Sequence, residues 1–172
     1  KVLTRRTRLL VTGPNGIGKS TFLRALVNGT QEGISIVKGV KVGYYSQDFS
    51  NLPYDQTAYQ FLAADLLAGS GEQELRSLAA GFLLTGEVLA LPVAALSEGQ
   101  KGLLAFAHLV MLAPGLLILD EPTNHLNFRH IPVIAQALNE YEGAIIMVSH
   151  MPEFVKQVRM DEELDLGKLG EK

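Results

Sequence analysis

The stretch Gly13-Pro14-Asn15-Gly16-Ile17-Gly18-Lys19-Ser20-Thr21 packs three glycines, a lysine and two hydroxyls into nine consecutive residues. The spacing fits G-x-x-x-x-G-K-[ST], and each residue type suits phosphate. Glycines at Gly13, Gly16 and Gly18 let the backbone curl until its N–H groups point inward at one anion. A helix starting at the end of the loop adds its positive end. Lys19 is then placed to reach β- and γ-phosphates, and the Ser20 hydroxyl to ligate Mg2+. A second chemical cluster is "LLILDE", residues 116–121, an apolar run ending in two carboxylates. Alone, such acids read as solvated strand ends. Beside a phosphate loop, Asp120 fits a partner of Mg2+, and Glu121 a group that orients or deprotonates the attacking water. A third is "LSEGQ", residues 96–100, ahead of a long apolar run. Ser97 can cap a helix there and Glu98 puts a negative charge in its first turn. That gives the chain a second helix N-terminus with donors for an anion.

These residues need elements to hold them. Leu9–Thr12 is predicted as a buried strand leading into the loop, and Ser20–Val27 as the helix leaving it. Ile34–Lys38 and Val40–Tyr45, split by Gly39, predict a hairpin. Ala58–Ala68 and Glu72–Ala80 carry helical patterns, and Leu103–Leu112 is apolar almost all round, so a buried helix. Leu116–Leu119 and Ala144–Val148 read as buried strands, Val133–Tyr141 and Pro152–Val158 as helices. Strands alternating with helices predict an α/β fold with a mainly parallel sheet. No strand signal falls between Asp48 and Leu96, so this part reads as a helical insert.

The composition limits the alternatives. With 172 residues the chain is the size of one domain, and 47% of it is hydrophobic. A net charge of −3 gives no broad basic face for nucleic acid. There are no cysteines for disulfides or zinc, which fits a reducing compartment. No apolar run is long enough to span a membrane. The first residue is Lys1, and the chain reads as a piece of a longer protein.

Together the motifs resemble an ATP-binding cassette (ABC) domain. The order is "GPNGIGKST" (Walker A), "YSQ" with Gln47 (Q-loop), "LSEGQ" (signature), "LLILDE" (Walker B with the catalytic Glu) and "VSH" with His150 (switch His). "EPTNHLN", residues 121–127, and "SHMPEFV", residues 149–155, are similar to the F subfamily, whose soluble members carry two cassettes and many of which act on the ribosome. "ELDLGKL", residues 163–169, looks like the strand that follows in that subfamily. The resemblance implies a single cassette over residues 1–172, with a phosphate-loop NTPase core, a small antiparallel β part and a helical subdomain at about 48–112. It implies ATP and Mg2+ as ligands, held by Asn15, Gly16, Gly18, Lys19, Ser20 and Thr21. The metal would be shared by Ser20, Gln47 and Asp120. Glu121, His150 and Gln47 would do the catalysis. Ser97 and Gly99 would serve in trans, covering the γ-phosphate of a second cassette packed head to tail. A cytoplasmic ATPase, with the ribosome as target and no membrane insertion, is the function implied. A transporter's nucleotide-binding domain and a nucleotide-sensing module with little turnover are the alternatives.

Four departures stand out. Glu98 replaces the signature's usual Gly, Asn127 the D-loop Asp, and Met151-Pro152 the usual Asp-Arg. No aromatic precedes Gly13 to stack on adenine. Of the other histidines, His125 is expected to shape a turn, His108 to be a hydrogen-bonded core residue and His130 to lie at the surface. Tyr44 and Tyr45 should alternate between an exposed face and the core.

Overall fold

In the computed structural model, residues 2–46, 48–66 and 71–169 are described. Five strands form one sheet in the order β2-β3-β4-β1-β5: Arg8–Thr12 (β1), Val42–Tyr45 (β2), Leu116–Asp120 (β3), Ala144–Val148 (β4) and Glu162–Asp165 (β5). Every neighbouring pair is parallel. Parallel pairing needs long crossovers and covered faces, which explains why β3 and β4 are buried at every residue. The helices are Lys19–Val27 (α1), Ala58–Ala64 (α2), Glu72–Gly81 (α3), Gly86–Ala90 (α4), Glu98–Leu112 (α5), Ile131–Glu140 (α6) and Pro152–Gln157 (α7). Between β2 and β3 the described chain is helical, with α2 to α5 and a short 3-10 turn at Val93–Ala95.

The side-chain period of two divides the core. Leu9, Val11, Leu116, Ile118, Ile146 and Val148 meet Leu23 and Leu26 of α1 on one face. Tyr45, Leu117, Leu119, Ile145 and Met147 meet α5, α6 and α7 on the other, through Leu103, Phe106, Ile134, Leu138 and Phe154. The helices α1 and α5 therefore cover opposite faces of the sheet. Arg8 is a fully buried cation at the start of β1. Its guanidinium donates to the carbonyls of Leu138 (3.0 Å) and Tyr141 (2.5 Å), so it closes the C-terminal end of α6. Burial and the nearby Arg159 charge lower its pKa, against Asp161, which raises it.

The predicted hairpin is corrected. Residues 34–41 form turns and irregular backbone, and Val42–Tyr45 pairs in parallel with β3. Ile34 and Val37 stand 47% and 77% exposed, and only Ile36 of this arm packs against the core. The small antiparallel part is thus absent from the described residues, apart from an isolated bridge between Thr57 and Pro92. Helix α2 stops at Ala64 rather than Ala68, and residues 67 and 68 lie outside the described residues. The strand expected over residues 163–169 becomes β5 and a 3-10 turn at Leu166–Leu169. The start of α5 falls at Glu98 with Ser97 as its cap, as the sequence predicts, whereas helix α4 was not legible from apolar spacing.

Candidate functional site

Because the strands are parallel, β1, β3 and β4 deliver their C-terminal ends to one edge of the sheet. Ligands of open α/β sheets bind at such an edge. The loop after β1 passes through Gly13, Gly16 and Gly18 at φ 139°, 81° and 96°. The last of these is the left-handed N-cap of α1, which only glycine adopts at no steric cost. Asn15, Gly16 and Thr21 are exposed along this turn. Lys19 is buried, and its ammonium donates to the carbonyls of Gly13 (2.8 Å) and Pro14 (3.1 Å). Among the described residues no carboxylate pairs with it. The cation is stored on its own loop, beside the anion it would bind.

At the end of β3 the Ser20 hydroxyl donates to Asp120 Oδ1 at 3.0 Å, so helix α1 and strand β3 present their metal-ligand candidates as a pair. Asp120 is 3% exposed. One carboxylate and one hydroxyl suit Mg2+, which keeps waters and substrate phosphates as its other ligands rather than an all-protein cage. No group of three His, Cys, Asp or Glu able to hold a metal occurs among the described residues. Tyr44, missed by the sequence reading, has its hydroxyl 3.5 Å from Asp120 Oδ2. Burial and the Asp120 charge raise its pKa against a hydrogen bond from Arg24, so it stays a neutral donor. Arg24 lies one turn after Ser20 on α1, so the same helix face brings both toward Asp120 and Tyr44. Tyr45 is the core residue of the pair, as the alternation predicts, but Tyr44 is half-buried rather than exposed.

Glu121 follows at φ 48°, a left-handed conformation costing a non-glycine residue roughly 1–2 kcal/mol. The strained turn aims its carboxylate at the end of β4. Oε2 accepts from the His150 N–H at 3.1 Å, and Oε1 lies 3.1 Å from His150 Nε2. That second contact lacks hydrogen-bonding geometry, so Oε1 is buried without a hydrogen bond. Oε1 is thus a carboxylate acceptor shut from solvent beneath the exposed His150 ring, with lone pairs unused. Gln47 lies outside the described residues.

Ser97 and Gln100 form a capping box: Ser97 Oγ accepts from the Gln100 N–H (3.2 Å), and Gln100 Oε1 from the Ser97 N–H (2.9 Å). Capping uses Ser97 as an acceptor and leaves its O–H proton for an anion. Glu98 accepts from Lys101 Nζ at 2.9 Å, which keeps its carboxyl below the usual range and offsets its charge. The structure thus places Lys19, Ser20, Asp120, Glu121 and His150 at one edge. Ser97 and Gly99 start the helix on the opposite face. His108 hydrogen-bonds Asp65 at 2.8 Å and stacks on Phe61. His125 is exposed and rests against the Phe49 ring. His130, expected at the surface, has Nδ1 sealed from solvent.

Comparison with known proteins gives these features a context. The family described as ABC transporter matches residues 3–124. The probable ATP-binding protein YbiT of Escherichia coli O157:H7 is 38% identical over 155 residues, covering 88% of this chain and 29% of that protein. ATP-binding cassette sub-family F member 3 of Mus musculus is 39% identical over 160 residues, covering 88% of this chain and 22% of that protein. The chain thus spans under a third of the length of these relatives. A solved ATP-binding cassette, a dimer in a post-hydrolysis state bound to ADP and Pi, aligns with TM-score 0.67 at 22% identity, over 88% of this chain and 78% of that one. That likeness is one of fold. No helix among the described residues is long and apolar enough to cross a membrane.

Proposed function

We propose, from the premise that this chain belongs to the ABC transporter family of ATP-binding cassettes, that it is one cassette of a cytoplasmic twin-cassette ATPase of the F-subfamily type, acting on the ribosome. The relative named as a sub-family F member and the "EPTNHLN" run support the subfamily. The observation that carries the enzymatic reading is the convergence of Lys19, the Ser20–Asp120 pair and the Glu121–His150 pair on one sheet edge.

In this reading Lys19 leaves the carbonyls of Gly13 and Pro14 for the phosphates of ATP, and the glycine loop wraps them with N–H groups. Ser20 and Asp120 would hold Mg2+, with Gln47 as the third partner, and the ion would offset phosphate charge. Glu121 accepts the proton of the attacking water on Oε1, uncovered as the His150 ring swings from it toward the γ-phosphate, while the His150 N–H steadies Oε2. The His150 ring, exposed at the mouth, is placed to donate to the γ-phosphate. Water adds to the γ-phosphorus, the bond to the β-γ bridging oxygen breaks, and ADP and phosphate leave. Ser97 and Gly99 complete the equivalent site of a second cassette packed head to tail.

The test is nucleotide titration and phosphate release by the full-length protein. Lys19→Ala should weaken ATP binding about a hundredfold, since a charge-assisted contact to phosphate is lost. EDTA should stop turnover, and added Mg2+ restore it. Equal titration curves for wild type and Lys19→Ala would overturn the assignment.

A further inference from the structure

The glycine of the signature is enclosed by its own chain. A methyl built on Gly99 would lie 2.9 Å from His130 Cε1, 3.3 Å from His130 Nδ1 and 3.4 Å from the His125 carbonyl oxygen. The first distance is shorter than side chains tolerate, so the partly exposed His130 ring would have to shift to admit the methyl. Its Nδ1 is shut from solvent without a hydrogen bond. Desolvation lowers the pKa of this imidazole, so it meets the Gly99 backbone as an uncharged ring. The chain that carries His130 is itself pinned to the catalytic strand end. From Glu121 onward, successive turns are closed by hydrogen bonds from Asn124 N to Glu121 O (3.2 Å), Leu126 N to Thr123 O (3.0 Å) and His130 N to Asn127 O (3.0 Å). His130 O then accepts from Ile134 N at 3.1 Å, within α6.

We propose that His130 is a positioning residue for the signature turn: its ring seats Ser97–Gly99 on the 121–130 segment, and residue 99 must be glycine to make this contact within the chain. The inference rests on the reading of Ser97 as a donor to the second cassette's nucleotide. His130 touches no substrate. It sets where Ser97 stands, and it ties that position to the turn that begins at this chain's own Glu121. The glycine requirement is therefore met by an imidazole in cis, in addition to any contact made in trans.

The test is a rescue experiment in the full-length protein, reading kcat and KM for ATP with thermal unfolding as a fold control. Gly99→Ala should lower kcat about tenfold and leave KM within about twofold, because residues in direct contact couple strongly. Adding His130→Ala makes room for the methyl, and kcat should return to the level of His130→Ala alone, about threefold above Gly99→Ala. His130→Ala alone should lower kcat about threefold with KM unchanged. A double variant as slow as Gly99→Ala, or wild-type kcat in Gly99→Ala, would overturn the proposal. If Gly99→Ala does not fold, His130→Ala decides alone, and wild-type kcat there overturns it. Glu121→Gln is run alongside. Undiminished turnover in that variant would bring down the functional reading itself, whereas slow turnover there without rescue in the double variant would bring down only the role of His130.

Discussion

At the scale of single residues, the Ser20–Asp120 hydrogen bond sets the pair proposed for the metal apart from the loop proposed for phosphate. Both oxygens are held 3.0 Å apart by a strand and a helix that pack on each other, so the pair is arranged before any ion arrives. Ser20→Ala keeps Lys19 and the glycine loop but removes one ligand and the partner that orients Asp120. The Mg2+ concentration for half-maximal turnover should rise about tenfold, the usual scale for losing a supporting group at a metal site. A Mg2+ titration of ATPase activity checks this, and an unchanged midpoint would exclude Ser20 from the metal site. Glu98 shows the same logic in reverse. Its carboxylate looks hostile to a phosphate in sequence, yet Lys101 at 2.9 Å offsets the charge within the first turn of α5.

At the scale of elements, the parallel sheet depends on β1 being fastened at the end opposite the site. Arg8 does this by donating to the last carbonyls of α6, with Asp161 accepting from the Arg8 backbone N–H at 2.9 Å. Arg8→Met keeps much of the volume but strands those carbonyls, and should lower stability by about 2–3 kcal/mol, measured by denaturant unfolding. Local pattern reveals which elements exist, but not this fastening. The apolar runs of β3 and β4 and the glycine loop were legible because each needs only its own residues. The false hairpin arm at Ile34–Lys38 was β-rich too, but a strand needs a neighbour, and this arm does not pair with β2, which stays the edge strand of the sheet. Tyr44 beside Asp120 and His130 beside Gly99 could not be read either, since both contacts join segments far apart in sequence. The Arg8 cap is hidden for the same reason, reaching residues more than a hundred positions away.

At the scale of the whole molecule, α1 and α5 cover opposite faces of the sheet, so the Walker loop and the signature open different helix ends. Phe128, 77% exposed beside Arg129 on the turn next to the signature, adds an apolar side chain where a second cassette would pack. If the signature serves only the other cassette, Ser97→Arg should leave ATP affinity at this chain's own loop within about twofold, apart from a capping loss of about 1 kcal/mol in stability. ATP-driven pairing, followed by sedimentation, should disappear. The central claim, that Glu121 drives hydrolysis of ATP held by the Gly13–Thr21 loop, is tested most directly by single-turnover phosphate release. The measurement compares Glu121→Gln with wild type in full-length protein whose other cassette already carries its own catalytic Glu→Gln change. The account predicts retained ATP binding and a release rate lowered about a thousandfold, the scale of losing a general base. An unchanged rate in Glu121→Gln would contradict it.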